Sequence, residues 1–201
     1  RFEKDRTNAH LLIMAKNNSG KRQLTKLVSE ANKTGYYYKP RIDKSLLFSL
    51  NPNDVVVTST CIASPYNLYK DECFIVDCFN YFGSNFYLEL HDNTNIKQVE
   101  YNRMLLDMHN KYDIPFVFAT DTHYINEEDG KYRDLLLRGK GIYYPEEDGF
   151  IMDYPTSDKV FDRFEKQGVF TREQVEDALR NTWIVDEFED VKVIYPIHMN
   201  P

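Results

Sequence analysis

Four short apolar runs, separated by stretches of helical periodicity, limit what this chain can fold into. They are His10–Lys16 (HLLIMAK), Val55–Ser59 (VVVTS), Phe86–His91 (FYLELH) and Pro115–Asp121 (PFVFATD). The first is continuously apolar, as for a strand buried on both faces; the second is β-branched; the third alternates. After the first run, Leu24, Leu27, Val28 and Ala31 fall at helical spacing behind Ser19, which reads as the cap, and Gly35 stands where that helix should stop. Tyr101, Leu105, Met108 and Tyr112 form a second stripe, so residues 95–112 read as helix. Asn126 heads a third helix, with Glu127, Glu128 and Asp129 in the turn where acids suit the dipole. Residues 139–156 read as loop, and Ser157 starts a short helix. Thr171 with Gln174 forms a capping box for a last helix through Val175, Ala178, Leu179, Thr182 and Val185. Strands joined by long crossovers predict an α/β fold with a parallel sheet or barrel, whose chemistry gathers at the C-terminal ends of strands.

Composition narrows the class. Hydrophobic residues are 42% and charged residues 28%, ordinary for a globular domain. No apolar run reaches about 18 residues, so no membrane span is expected. The start, RFEKDRTNAH, has no apolar signal segment and no Met, which predicts a fragment with its natural N-terminus upstream. Three cysteines, Cys61, Cys73 and Cys78, cannot complete a disulfide framework, which predicts a reducing, cytoplasmic setting. The net charge of -7 argues against binding DNA by bulk attraction. The charge is uneven: residues 1–50 carry +7 and the remainder -14. The basic end, including Lys39 and Arg41 of GYYYKPRID, either faces phosphate or is a solvated surface with Tyr36–Tyr38 packed on the barrel.

Asp121 and His123 are i, i+2 at the end of an expected strand, so their side chains share a face. A carboxylate and a neutral imidazole together suit Zn²⁺ or Mn²⁺, while the plainer reading is a capped turn. His10 opens one expected strand and Cys61 follows another; singly they read as a core histidine and a small buried hydrophobe. Donor types at the ends of three strands carry more weight together. Glu89 and His91 are a rival pair of lower rank, expected on an exposed strand face. His109 is expected at the surface, His198 in irregular chain, and Cys73 and Cys78 in the core. No P-loop, G-x-G-x-x-G or G-x-S-x-G motif is present, so nucleotide-cradling and serine-hydrolase readings lack their signature.

The segments HLLIMAKNNSGKRQLTKLVSEA, GYYYKPRID, VVVTSTC, FYLELHDN, EYNRMLLDMHNKYDIPFVFATDTHY and ALRNTWIVDEF, in this order, resemble the PHP (polymerase and histidinol phosphatase) domain of bacterial and phage DNA polymerase III alpha subunits. The resemblance covers nearly the whole chain. It implies a distorted, TIM-like βα barrel, with residues 1–150 its C-terminal portion and residues 151–201 a helical end leading toward a polymerase core. It also implies a Zn²⁺ or Mn²⁺ cluster in which His10, Cys61, Asp121 and His123 are ligands, while Glu89 and His91 are not. The family's H-x-H ligands have no counterpart here, which implies a barrel lacking its first strands, with about half of the cluster upstream of Arg1. Alone, such a chain is expected to hold little metal, to lack nuclease activity and to self-associate. The implied activity of the complete domain is metal-dependent 3′–5′ exonucleolytic hydrolysis of phosphodiesters. The implied partners are DNA, the upstream PHP segment, the polymerase core and other replicase subunits. Two alternatives stay open: a non-catalytic domain bracing the polymerase and docking partners, and a stand-alone phosphoesterase.

Overall fold

The computed structural model describes residues 7–191, so His198 lies outside the described residues. Four strands, β1 (Leu12–Ala15), β2 (Val55–Thr58), β3 (Phe86–Leu90) and β4 (Phe116–Phe118), form one sheet in chain order. β2, β3 and β4 are parallel, whereas β1 runs antiparallel to β2, pairing Leu12 with Thr58 and Ala15 with Val55. The sheet is therefore mixed, which corrects the all-parallel expectation. β1 is also half-buried rather than covered on both faces, with Leu12 exposed. An edge strand has one neighbour, so its apolar run reflects one packed face and a shielded end, not a central position.

Among the described residues, eight α-helices explain the crossovers. Helix α1 (Asn18–Lys33) returns the chain from β1 to a short α2 (Lys44–Leu47). Helices α3 (Pro65–Tyr69) and α4 (Glu72–Phe82) link β2 to β3, and α5 (Ile96–Tyr112) links β3 to β4. Helices α6 (Gly130–Gly139), α7 (Ser157–Gln167) and α8 (Arg172–Asn181) follow β4. The predicted capping box is present: Gln174 N donates to Thr171 Oγ1 at 3.2 Å and Thr171 N to Gln174 Oε1 at 2.9 Å. Past Asn181 the stripe continues only as a 3₁₀ turn, Thr182–Glu187.

Strand alternation sorts side chains onto two faces. Val55, Val57, Phe86, Leu88, Leu90 and Phe116 pack with Leu27, Ile75, Tyr101, Leu105, Phe164 and Ala178 of the helices. Val56, Tyr87 and Val117 point the other way, where Met14, Ile184 and Phe188 cover them. The sheet is thus closed on both sides along β2 and β3. Among the helices, α4 was not anticipated; its stripe is Ile75, Cys78 and Phe82, and Asp71 caps it. Cys78 is buried as expected, but Cys73 is exposed, on the far side of that stripe. His109 is not a surface residue: it stacks on Phe116 at 4.4 Å, with Nδ1 2.9 Å from Ile114 O. Val28 is 60% exposed, so the buried stripe of α1 reduces to Leu27 and Ala31, with Leu24 partly buried.

The N-terminus of α1 is fixed by Asp54, at the foot of β2. Asn17, not Ser19, is the cap, accepting from Gly20 N at 2.8 Å. Ser19 Oγ and Gln23 Nε2 instead donate to Asp54 Oδ2, and Asn17 Nδ2 to Asp54 Oδ1. Lys16 N donates to Asp54 O at 2.9 Å. This contact requires a glycine: a Cβ at position 20 would lie 2.1 Å from Asp54 O. Gly20→Ala is therefore expected to destabilise the chain by about 3 kcal/mol through overpacking, read as a lower urea midpoint with unchanged slope. A stability equal to wild type would contradict this packing.

Candidate functional site

Because β2, β3 and β4 are parallel, their C-terminal ends lie on one edge of the sheet. Because β1 is antiparallel, its N-terminal end reaches that same edge. His10, just before β1, thus meets Cys61, just after β2: His10 Nδ1 is 3.9 Å from Cys61 Sγ, and His10 N donates to Ala63 O at 2.8 Å. His10 accordingly joins the site from the start of a strand, not from a C-terminal end.

Asp121 and His123 lie beyond β4, which stops at Phe118, on a loop rather than on the strand. Strand parity does not bring them together. His123 Nε2 lies 3.1 Å from Asp121 Oδ1, and their side chains are 39% and 60% exposed. The loop is laced to the segment 151–154: His123 N donates to Met152 O at 2.8 Å, and Tyr154 N to Ile125 O at 3.1 Å. Met152 N donates to Tyr124 OH at 2.9 Å.

All four residues line one cavity of about 320 Å³, together with Asp92, Gln98, Thr120 and Asp153 and an apolar portion that includes Ile62, Phe150 and Met152. An open groove of about 600 Å³ beside α1 includes only His10 of the four, and a cavity of about 140 Å³ against α6 includes none. Two donors sharing a tetrahedral Zn²⁺ lie about 3.5 Å apart, so each pair has spacing compatible with a common ion, and N, O and S donors suit it chemically. Among the described residues, however, no group of three or more His, Cys, Asp or Glu side chains is arranged to hold a metal ion. Burial pushes the Cys61 thiol up, and nearby Asp121 and Glu89 add to this. A thiolate there needs a compensating cation.

In the wall of the cavity, which His91, Asp92 and Asp153 line, and beneath it, the polar groups are internally matched. Glu89 and His91 are buried, which corrects their expected exposed face: His91 Nε2 sits 2.8 Å from Glu89 Oε1, and Thr58 Oγ1 donates to Glu89 Oε2. Asn102 Nδ2 and Gln167 Nε2 both donate to His91 O, at 2.9 and 3.0 Å. Arg163 of α7 donates to Asp153 at 2.8 and 3.0 Å and to Asp92 at 3.2 Å. Sequence reading missed this triad. The signal was an arginine inside the stripe Val160, Phe164 and Gln167, which implies buried carboxylates opposite. In GYYYKPRID, Tyr36 and Tyr38 are exposed rather than packed on the barrel. Tyr37 instead meets Tyr38 edge-on at 4.8 Å and lies 5.2 Å beneath the Arg41 guanidinium. Among the described residues no helix is long and apolar enough to cross a membrane.

A family model described as the PHP domain matches residues 2–93. The chain is 37% identical over 139 residues to the DNA polymerase III subunit alpha of Aquifex aeolicus (strain VF5), covering 66% of this chain and 12% of that protein. It is 29% identical over 198 residues to the corresponding subunit of Borreliella burgdorferi, covering 93% and 17%. It is 26% identical over 207 residues to a probable DNA polymerase of Bacillus subtilis (strain 168), covering 89% and 16%. The chain therefore spans less than a fifth of the length of these relatives.

The two carboxylates on Arg163 titrate in opposite senses. Burial pushes Asp153 up, but the hydrogen bonds and charge of Arg163 and Lys159 outweigh it and hold the carboxyl below its usual range. Burial pushes Asp92 up and prevails over its bond to Arg163. A lowered folded-state value contributes stability that is present above the unfolded value, near pH 4, and lost as pH falls through the folded one. A raised value is a cost at neutral pH that disappears on acidification. Asp153→Asn is expected to lose about 3 kcal/mol at pH 7, shrinking below about pH 4, whereas Asp92→Asn stays within about 1 kcal/mol of wild type at pH 7. Urea denaturation at pH 7 and pH 3 checks this, and equal losses in the two variants would contradict it.

Proposed function

From the premise that this chain is PHP-domain sequence of a DNA polymerase III alpha-like protein, we propose that its cavity is the phosphodiester-hydrolysing site of a replicative DNA polymerase, acting on the 3′ end of a DNA strand. The observation that carries this reading is the convergence of His10, Cys61, Asp121 and His123 on one cavity at one edge of the sheet. Bound Zn²⁺ or Mn²⁺ would supply a hydroxide at neutral pH and charge to polarise a phosphoryl oxygen. Asp121 contributes the negative charge that favours a divalent cation. His123, oriented by Asp121, and His10, oriented beside Cys61, offer imidazole nitrogens. Cys61 would hold such a cation as a thiolate, the ion's charge offsetting its burial. The apolar residues Ile62, Phe150 and Met152 limit water around the scissile bond and offer surface to a base or sugar. DNA, the polymerase core and other replicase subunits are the partners this reading requires, and the compartment is the cytoplasm.

A second reading, a non-catalytic domain that braces the polymerase, is favoured by one observation: among the described residues no three or more of these side chains are arranged to hold a metal ion. Two measurements separate the readings. In the polymerase that carries this domain, Asp121→Asn and His123→Ala should lower metal-dependent 3′-end hydrolysis by more than the ~10–100-fold typical for loss of a ligand's neighbour, with DNA synthesis retained. Zn²⁺ should also protect Cys61, but not the exposed Cys73, from alkylation. Unchanged hydrolysis in both variants with no protection of Cys61 would leave the bracing role.

A further inference from the structure

Arg163 lies in the buried stripe of α7 and is 8% exposed. A guanidinium is held there only by matched carboxylates, and these come from three separate segments. Asp92, directly after β3, accepts at 3.2 Å. Asp153 takes both arms of the fork, at 2.8 and 3.0 Å. Glu127, in the turn after the Asp121–His123 loop, lies 3.8 Å away.

Asp153 matters most because of its neighbours in the chain. Met152 O accepts from both His123 N and Tyr124 N, and Tyr154 N donates to Ile125 O. Thr122 Oγ1 donates to Asp153 O at 3.1 Å. The Asp121–His123 loop has left the sheet and is exposed, so these bonds to residues 152–154 are what hold it against the fold. Lys159 Nζ also reaches Asp153, at 3.3 Å, but from a half-exposed side chain and as a point charge. The fork of Arg163 is the only element of this set that fixes the orientation of the Asp153 carboxylate.

We infer that Arg163 is a positioning residue: through its bidentate bond to Asp153 it locks segment 152–154, and that segment sets the placement of Asp121 and His123 at the cavity. The inference rests on the preceding reading only where it treats that pair as metal donors; the mechanical link stands on the hydrogen bonds alone.

The test uses Arg163→Lys, which keeps the charge and loses the fork, and Asp153→Asn, both in the polymerase that carries this domain. Amide hydrogen exchange is expected to accelerate at His123, Tyr124 and Tyr154 about tenfold or more beyond any change at Ser59 and Leu88, whose sheet amides follow only the loss of global stability. Mn²⁺ affinity, read by electron paramagnetic resonance well below the melting temperature, is expected to fall ~10–100-fold. Unchanged exchange at the three loop amides overturns the link. So does acceleration spread evenly over loop and sheet, which signals only lower global stability. A loosened loop with wild-type Mn²⁺ affinity overturns the claim that the link places the donors. If the wild-type polymerase takes up no Mn²⁺ at this cavity, the metal reading fails, and the exchange pattern still decides the link.

Discussion

A carboxylate in the middle of a covered sheet sets the terms for this structure. Glu89 is 4% exposed, on the strand that lies between β2 and β4. Burying that group without partners would cost more than a typical core side chain returns. Its environment is therefore fully specified: Thr58 donates from β2, the His91 imidazole approaches from one side, and Glu89 N donates to Ser59 Oγ at 2.9 Å. The His91 carbonyl is in turn fixed by Asn102 of α5 and Gln167 of α7. One buried acid thus ties the ends of β2 and β3 to two helices, directly beneath the cavity. Groups above it are carried on a floor with little freedom, which is what a site needing sub-ångström placement requires.

The antiparallel β1 has a functional consequence. Were β1 parallel to β2, His10 would sit at the opposite edge from Cys61. Reversal places the start of β1 beside the ends of the other three strands, so a short mixed sheet gathers donors from before one strand and after two others. The loop after β4 depends on less secure support. It has no strand ladder of its own and takes its shape from backbone bonds to residues 152–154, which are themselves held by Arg163 on α7. Helix α7 packs in the same core as the sheet through Val160 and Phe164. Core packing and loop placement are therefore coupled through one side chain.

Much of this was legible in the sequence. Helices α1 and α5 follow from periodicity and the Thr171 capping box from its spacing, because those signals are local. The reversal of β1 was not legible, since an apolar run carries no strand direction. Alternation reports which residues share a face, not whether that face is covered, so it places Glu89 and His91 on a solvated face; the turn around Ile184 and Phe188, which packs on Tyr87 of that same face, comes from about 100 residues away. Helix α4 also carries local signals, with Asp71, Ile75, Cys78 and Phe82 spelling a cap and a stripe. The four donor candidates were nameable because His, Cys and Asp at strand ends are chemically distinctive. Their division into two pairs, and the support of one pair by Arg163, required coordinates.

The proposed function requires that Cys61 and Asp121, one from each donor pair, both reach metal bound in the cavity. Co²⁺ titration followed by electronic absorption tests it most directly, because a cobalt–thiolate bond gives a charge-transfer band that oxygen and nitrogen ligands do not. The account predicts such a band on Co²⁺ addition, abolished by Cys61→Ser and weakened by Asp121→Asn, with Cys73→Ser and Cys78→Ser leaving it intact. A spectrum without that band, or a band indifferent to both Cys61 and Asp121, would contradict it.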